Sequence, residues 1–274
     1  MSRRPGRRHV GTRVSELRRL FEIGITAQAI EEPLQCCDSN DLACETAEKM
    51  LKLHFDVIGV KDSKDGPVLG YIRDCDLDHG RCREHIRMFD LSNLISNSTP
   101  LINVLPILRD RPRVFILSEN TVTGIITRAD LQKPPVRILL FGLVSLLEIH
   151  LSRLIQKYYP RDSWKTKLTK ERIAYAEKIM NERMARNESL DLLDCLQFCD
   201  KGKLATAHPE IQQILHFESR KSGSKLLKSI EKVRDKLAHS QDIVGGTTWE
   251  EIIDLAGKIE ELILLSERYA DATA

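Results

Sequence analysis

The chain has 274 residues, 42% of them hydrophobic and 30% charged, with a formal net charge of +2. That length supports two domains with cores of their own, and the near-neutral balance excludes a uniformly basic or acidic polyelectrolyte. Seven cysteines, an odd number in a chain this long, argue for reduced thiols and a cytoplasmic setting rather than a disulfide scaffold.

Residues 1–23 form a basic segment. Arg3, Arg4, Arg7, Arg8, Arg13, Arg18 and Arg19 crowd it, with Glu16 between them. The segment reads as a solvated tail, and the alternative is attraction to phosphate or lipid headgroups. No apolar stretch follows the arginines, so a secretory signal is not expected.

Residues from Ile25 to Lys133 contain an internal repeat. The first copy ends DVIGVKDSKDGPVLGYIRDCDL (Asp56 to Leu77), and the second ends RVFILSENTVTGIITRADL (Arg113 to Leu131). Gly70, Asp76 and Leu77 match Gly124, Asp130 and Leu131 at a constant offset. Each copy predicts a helix (Glu45 to His54, then Pro100 to Leu108), a β-branched strand, a turn (Lys64-Asp65-Gly66, then Glu119-Asn120), a second strand and a short closing helix. One copy has too little apolar surface to stand alone, so the two are expected to pack together.

This pattern resembles the CBS module, two of which make a paired sensing unit. The most specific element is Gly124-Ile125-Ile126-Thr127-Arg128-Ala129-Asp130. The resemblance implies that Thr127 contacts phosphate and Asp130 holds the ribose hydroxyls of an adenine nucleotide (ATP, ADP or AMP). A strand end leading into a helix N-terminus does offer free N–H donors to an anion, and a carboxylate can accept from two hydroxyls. In the first copy, Asp76 takes the place of Asp130 and Arg73 stands where Thr is expected. Arg73 can pair with phosphate, or that site is empty. The alternative for the whole pair is packing without a ligand.

Between the copies, Cys75, His79, Cys82 and His85 are soft donors whose spacing matches no common zinc site. They read as a polar linker, and no metal is expected.

Pro134 and Pro135 mark a break, after which the pattern is helical. A helix is predicted from Val136 to about Tyr158, stopped by Pro160. Its apolar run, Ile138 to Leu147, is too short to span a bilayer and is expected in a core. Thr169 is placed as the cap of a second helix bearing Ile173, Ala176, Met180 and Met184. Ser189 is placed as the cap of a third bearing Leu192, Cys195, Leu196 and Cys199. A short helix starts at Pro209, another covers Ser224 to Ser240, and Thr248 with Glu251 forms a capping box for the last. The last helix is expected to bury Ile252, Leu255, Ile259, Leu262 and Ile263.

Within Ser224–Ser240, Leu226, Ile230, Val233 and Leu237 make one buried stripe with Arg234 at its edge. Asp235 and His239 are four apart, so their side chains can touch. The plain alternatives are a snorkelling arginine and a histidine complementing the helix dipole. The arrangement Arg234-Asp235-x-x-x-His239, late in a penultimate helix, resembles the HEPN motif. That resemblance implies a metal-independent endoribonuclease. An imidazole titrating near neutrality moves the proton of the RNA 2′-hydroxyl or of the leaving 5′-oxygen. The guanidinium stabilises charge on phosphorus, and the carboxylate orients the imidazole. One motif offers one histidine, so acid and base need two copies, and the resemblance implies a homodimer. Glu148 and His150 either line the same cleft or mark where the helix meets solvent.

The expected architecture is thus α+β, with tandem CBS modules over 24–134 followed by an all-α HEPN-like bundle over 135–274. The expected function is an RNA-cutting homodimer controlled by an adenine nucleotide, with a toxin role and an antitoxin or regulatory protein as a partner, and no membrane. The rival is a non-catalytic nucleotide-sensing scaffold.

Overall fold

A computed structural model describes residues 19, 20, 23–188, 190–239 and 241–271. The basic segment therefore lies almost wholly outside the described residues, as do Ser189 and Ser240. The fold is α+β and divides into two compact units, Glu22–Val136 and Arg137–Ala274.

The first unit is two copies of one strand–helix–strand–strand plan. In the first, β2 (Cys36–Asp38) lies parallel to β3 (Val57–Lys61), across helix α1 (Ala43–Leu53), and β3 turns back antiparallel to β4 (Gly70–Arg73). In the second, β5 (Leu94–Ser96) lies parallel to β6 (Arg113–Ser118), across α2 (Leu101–Asp110), and β6 pairs antiparallel with β7 (Thr121–Thr127). A two-residue strand, β1 (Glu32–Pro33), adds to the edge of β7. Pro33 suits that edge because it has no N–H to leave unpaired.

The repeated glycines have a steric cause. A Cβ on Gly124 would stand 3.0 Å from the Glu32 carbonyl of the crossing β1, and one on Gly70 would stand 2.5 Å from the Arg87 carbonyl. Both positions need a residue that lets a neighbouring backbone approach. The copies are joined by rings. Tyr71 lies 4.7 Å from Phe115 and 5.7 Å from Phe89, and Phe89 lies 4.9 Å from Phe115, between ring centroids. Leu34, Val57 and Val122 complete that core. This is the shared burial that a single copy cannot supply.

The second unit is helical. Its central helix α3 (Pro134–Tyr158) buries Leu139, Leu140, Leu143, Val144, Leu146 and Leu147 in succession. The predicted ten-residue apolar run thus belongs to a 25-residue helix, long and apolar enough by composition to cross a membrane, and 61% of its most apolar window is buried within the protein. Burial, not shortness, is what marks it as a core helix. After Pro160 the chain turns sharply, with Arg161 and Asp162 in the left-handed region and Trp164 buried.

Helix α4 (Lys170–Met184) follows Thr169, which makes no side-chain capping bond, and of its expected apolar face only Ala176 is buried. The expected third helix does not form as drawn. Leu192–Cys195 is a 3-10 turn capped by Asp191, Gln197 is extended, and α5 (Phe198–Ala207) starts afresh. The buried residues there are Leu193, Cys195, Leu196 and Phe198, a spacing no single helix face can present.

Helix α6 (Pro209–Ile214) starts at the predicted proline. Helix α7 (Arg220–Ala238) begins a turn before the expected Ser224, behind a capping box of Ser219 and Ser222. Its buried stripe is Leu227, Ile230, Val233 and Leu237; Leu226 is half-buried. The last helix, α8 (Trp249–Asp271), has the Thr248–Glu251 box and buries Ile252, Ile259, Leu262 and Ile263, with Leu255 half-buried.

Candidate functional site

Thr127 and Asp130 meet at the end of β7. Thr127 is extended (φ −119, ψ 172) and caps the 3-10 turn Arg128–Gln132. Its N–H and Oγ1 both donate to Asp130 Oδ2, at 2.7 and 2.9 Å. Asp130 is only 8% exposed. Its other oxygen lies 2.9 Å from Lys133 Nζ, which also reaches Glu32 at 2.5 Å and the Ile30 carbonyl at 2.6 Å. Partial burial works against the Lys133 charge, but its bonds to Glu32 and Asp130 hold its pKa above the ordinary lysine value.

These residues border a cleft of about 470 Å³ between the two copies. Leu34, Phe55, Val57 and Ile125 give it an apolar wall, and Arg113, Thr127 and Asp130 give it polar groups. Arg113 sends one guanidinium nitrogen to Asp56 of the first copy, while its buried Nε has no hydrogen-bond partner. The cleft thus combines an apolar wall, a carboxylate acceptor and an incompletely paired cation, a set of groups suited to a base, a sugar and a phosphate. Sequence reasoning missed Arg113, Lys133, Glu32 and Asp56, because their meeting is set by β1 and by the packing of the two copies.

The equivalent place in the first copy is built differently. Asp76 accepts both Nε (2.5 Å) and Nη2 (2.8 Å) of Arg87, and that guanidinium holds its carboxyl below the usual carboxylate range. Arg73 turns to the Cys75 thiol at 2.8 Å and makes no cap bond. Asp76 and Arg73 are not brought to the cleft that holds Thr127 and Asp130.

The linker donors go separate ways. Buried Cys82 donates to Thr46 at 3.2 Å, and His85 Nε2 lies 2.6 Å from the His79 carbonyl oxygen. Among the described residues no three His, Cys, Asp or Glu side chains converge as metal ligands. All seven cysteines are free thiols.

In the helical unit, Arg234, Asp235 and His239 occupy the last turn of α7. Arg234 is half-buried and lies 3.6 Å from Asp235 Oδ1. His239 is the exposed C-cap residue, and its N–H donates to the Asp235 carbonyl at 3.1 Å. No side-chain bond joins Asp235 to His239 among the described residues, so the expected orienting contact is not made within one chain.

The turn itself is tied down. Arg137 donates to the carbonyls of Lys236 (3.2 Å), Leu237 (3.4 Å) and Gln241 (3.0 Å), and Lys236 Nζ donates to those of Ile243 (3.1 Å) and Gly245 (2.6 Å). Arg137 thus adds cationic donors at the helix C-terminus, where the dipole favours them, and Lys236 holds the loop that follows. Beside this turn runs an open groove of about 440 Å³ between α3 and α7, lined by Ile138, Phe141, Ser145, Ile149, Leu237 and Ala238 among others. Ile138, Phe141 and Ile149 are 57%, 44% and 37% exposed, an apolar strip on one face of α3.

Glu148 and His150 take other roles. Glu148 pairs with buried Lys201 at 2.8 Å, and His150 is buried with Nδ1 2.8 Å from Ser266 Oγ.

No protein-family model matches the chain, and no curated protein matches it. Among solved structures, CbpB in complex with c-di-AMP is similar over 49% of this chain and 99% of its own, at 16% identity and a TM-score of 0.39. CBSX2 in complex with AMP is similar over 42% of this chain and 98% of its own, at 17% identity and a TM-score of 0.36. A CBS domain-containing protein of unknown function from Bacillus anthracis is similar over 40% and 91%, at 12% identity and a TM-score of 0.35. Each likeness takes in most of the other chain and less than half of this one.

Proposed function

We propose that this chain is an adenine-nucleotide sensor whose Glu22–Val136 unit is a CBS pair with one working site. The observation that carries the reading is the cleft holding Asp130 at 8% exposure beside an apolar slot and the incompletely paired Arg113. Asp130 accepts the ribose hydroxyls, Thr127 and Arg113 take phosphate, and Leu34, Phe55 and Ile125 enclose the base. Asp76, already clamped by Arg87, leaves the first-copy site without a ribose acceptor. Isothermal titration calorimetry with AMP, ADP and ATP is the test. Binding of one nucleotide per chain is expected, and absence of binding by all three overturns the sensor.

A second assignment concerns output. The helical unit is read as an HEPN-type endoribonuclease acting as a homodimer in the cytoplasm. It is favoured by one observation: the turn bearing Arg234, Asp235 and His239 borders the exposed apolar groove of α3. A second copy seated on that strip would bring two such turns together. One His239 would then accept the proton of the RNA 2′-hydroxyl as its oxygen attacks phosphorus. The other would protonate the departing 5′-oxygen, leaving a cyclic phosphate and a 5′-hydroxyl. Arg234 would stabilise the added negative charge. A toxin role, held in check by an antitoxin or regulatory protein, fits such an activity. RNA left whole by the dimer, with and without nucleotide, removes the nuclease and leaves a sensing scaffold.

A further inference from the structure

Helix α7 carries seven basic side chains against two acidic ones. Lys221, Lys225, Lys228 and Lys232 follow at spacings of four, three and four, so they share one face, and all four are exposed. They advance about 16 Å along the helix at 1.5 Å per residue. His239 stands eighteen residues beyond Lys221, about five turns at 3.6 residues each, which continues the same face. Lys236, next on that line, is spent on the carbonyls of Ile243 and Gly245.

The four lysines are not in ion pairs among the described residues. Like charges at i and i+4 destabilise a helix, so the row is a cost that a bound polyanion would relieve. Alongside lies a groove of about 330 Å³ between α5 and α7. Buried Phe198 and Leu227 and the side-chain-free Gly202 line its interior, Lys203 and Lys228 face it from the two helices, and Glu231 also borders it. Lys203 is likewise exposed and outside any ion pair.

We infer that this face of α7, with Lys203 of α5 beside it, is the track on which a single RNA strand lies as it reaches His239. A row of unpaired ammonium groups one turn apart suits a polyanion in extended form, and an apolar-walled groove next to it suits an unstacked base. An anionic membrane fits less well. A helix lying on lipid presents its apolar face to it, whereas Leu227, Ile230, Val233 and Leu237 of α7 face inward and are buried. The inference rests on RNA being the substrate, but it concerns binding and is separable from cleavage.

The test is fluorescence anisotropy of the full chain with a labelled 2′-O-methyl RNA of about twelve nucleotides. Such a strand lacks the hydroxyl needed for cutting. With five lysines engaged, log K should fall against log salt with a slope of about −3.5, at about −0.7 per neutralised phosphate. The variant Lys225→Ala/Lys228→Ala/Lys232→Ala should lose about 2 from that slope. All three changes are at exposed positions, so an unchanged melting temperature is expected. A folded triple variant that matches the wild type at every salt concentration overturns the track. So does a wild type that ignores the oligonucleotide, or one that binds phosphatidylserine vesicles in its place. Wild type that binds with the expected slope yet cuts no cleavable RNA keeps the track and removes the nuclease.

Discussion

Asp130→Asn is the sharpest perturbation of the proposed nucleotide site. The carboxylate holds three donors: the Thr127 N–H at 2.7 Å, the Thr127 hydroxyl at 2.9 Å and Lys133 Nζ at 2.9 Å. The amide keeps one acceptor oxygen and turns an NH₂ group toward either Lys133 or Thr127, so at least one donor faces a donor. A hydrogen bond to a charged group contributes about 1.5–3 kcal/mol, and the site is buried enough for that range to apply. The unliganded protein should therefore lose about that much stability, read as a shift in urea midpoint. Nucleotide affinity should fall about 10- to 150-fold, the same range expressed as a ratio, because the ribose loses its charged acceptor. Calorimetry reads the second effect at a temperature where the variant is still folded. Asp76→Asn is the matched control. It breaks the Arg87 clamp in the first copy and should leave nucleotide affinity unchanged. A folded Asp130→Asn protein with wild-type affinity, or an Asp76→Asn protein that loses affinity as steeply, would refute the assignment of one working site.

Losing His239 to Ala should slow RNA cleavage by about 10²–10⁴-fold in the presence of a chelator, measured by gel with a single-stranded RNA and with DNA as the uncut control; equal rates exclude His239 from the chemistry. Phe141→Glu places a charge on the exposed strip of α3 and should yield folded monomers in sedimentation. Leu143→Glu, at 4% exposure, should unfold the helical unit, since it buries a charge without a partner. Asp200→Ala removes the partner of Arg172 from a site where the carboxylate is 2% exposed. It should cost about 3 kcal/mol, the low end of the buried-pair range because Arg172 is 30% exposed; an unchanged denaturation midpoint would contradict this. The lowered pKa of Asp76 implies stability that is present above the ordinary carboxylate range and lost as pH falls through the folded value. Asp76→Asn should therefore flatten the acid limb of stability against pH, and a limb as steep as wild type would place the acid sensitivity elsewhere.

The repeat shows what local chemistry can specify. Gly70 and Gly124 recur because a backbone crosses each of them, Glu119-Asn120 closes the second hairpin, and Thr248 with Glu251 caps the last helix. Each depends on residues close in the chain or on a steric demand that only one residue type meets, so each leaves a mark in the sequence. The pairing of Thr127 with Asp130 belongs here too, being three residues apart. The misplaced third helix is the counter-example. Leu192, Cys195, Leu196 and Cys199 fit a helical period, but the residues that bury are Leu193, Cys195, Leu196 and Phe198, and tertiary packing overrides the periodicity. The choice of Leu227 over Leu226 is the same effect on a smaller scale.

The sequence by itself determined the repeated helix and hairpin, the helical second half, and the places of Thr127 and Asp130 at a strand end and of Arg234 and His239 late in a helix. The leading strands Cys36–Asp38 and Leu94–Ser96, too short to show an alternation, came only with the structure. Only the tertiary structure decided how the two equivalent carboxylates are held. Asp130 and Asp76 hold equivalent places in the repeat, yet one faces a cleft with Lys133 and Glu32 while the other is clamped by Arg87. It also decided that Arg137, about a hundred residues away in the chain, secures the turn bearing His239. Ion pairs and caps of that range leave no periodic trace, because they are fixed by where packed elements cross and not by the spacing of residues along any one of them.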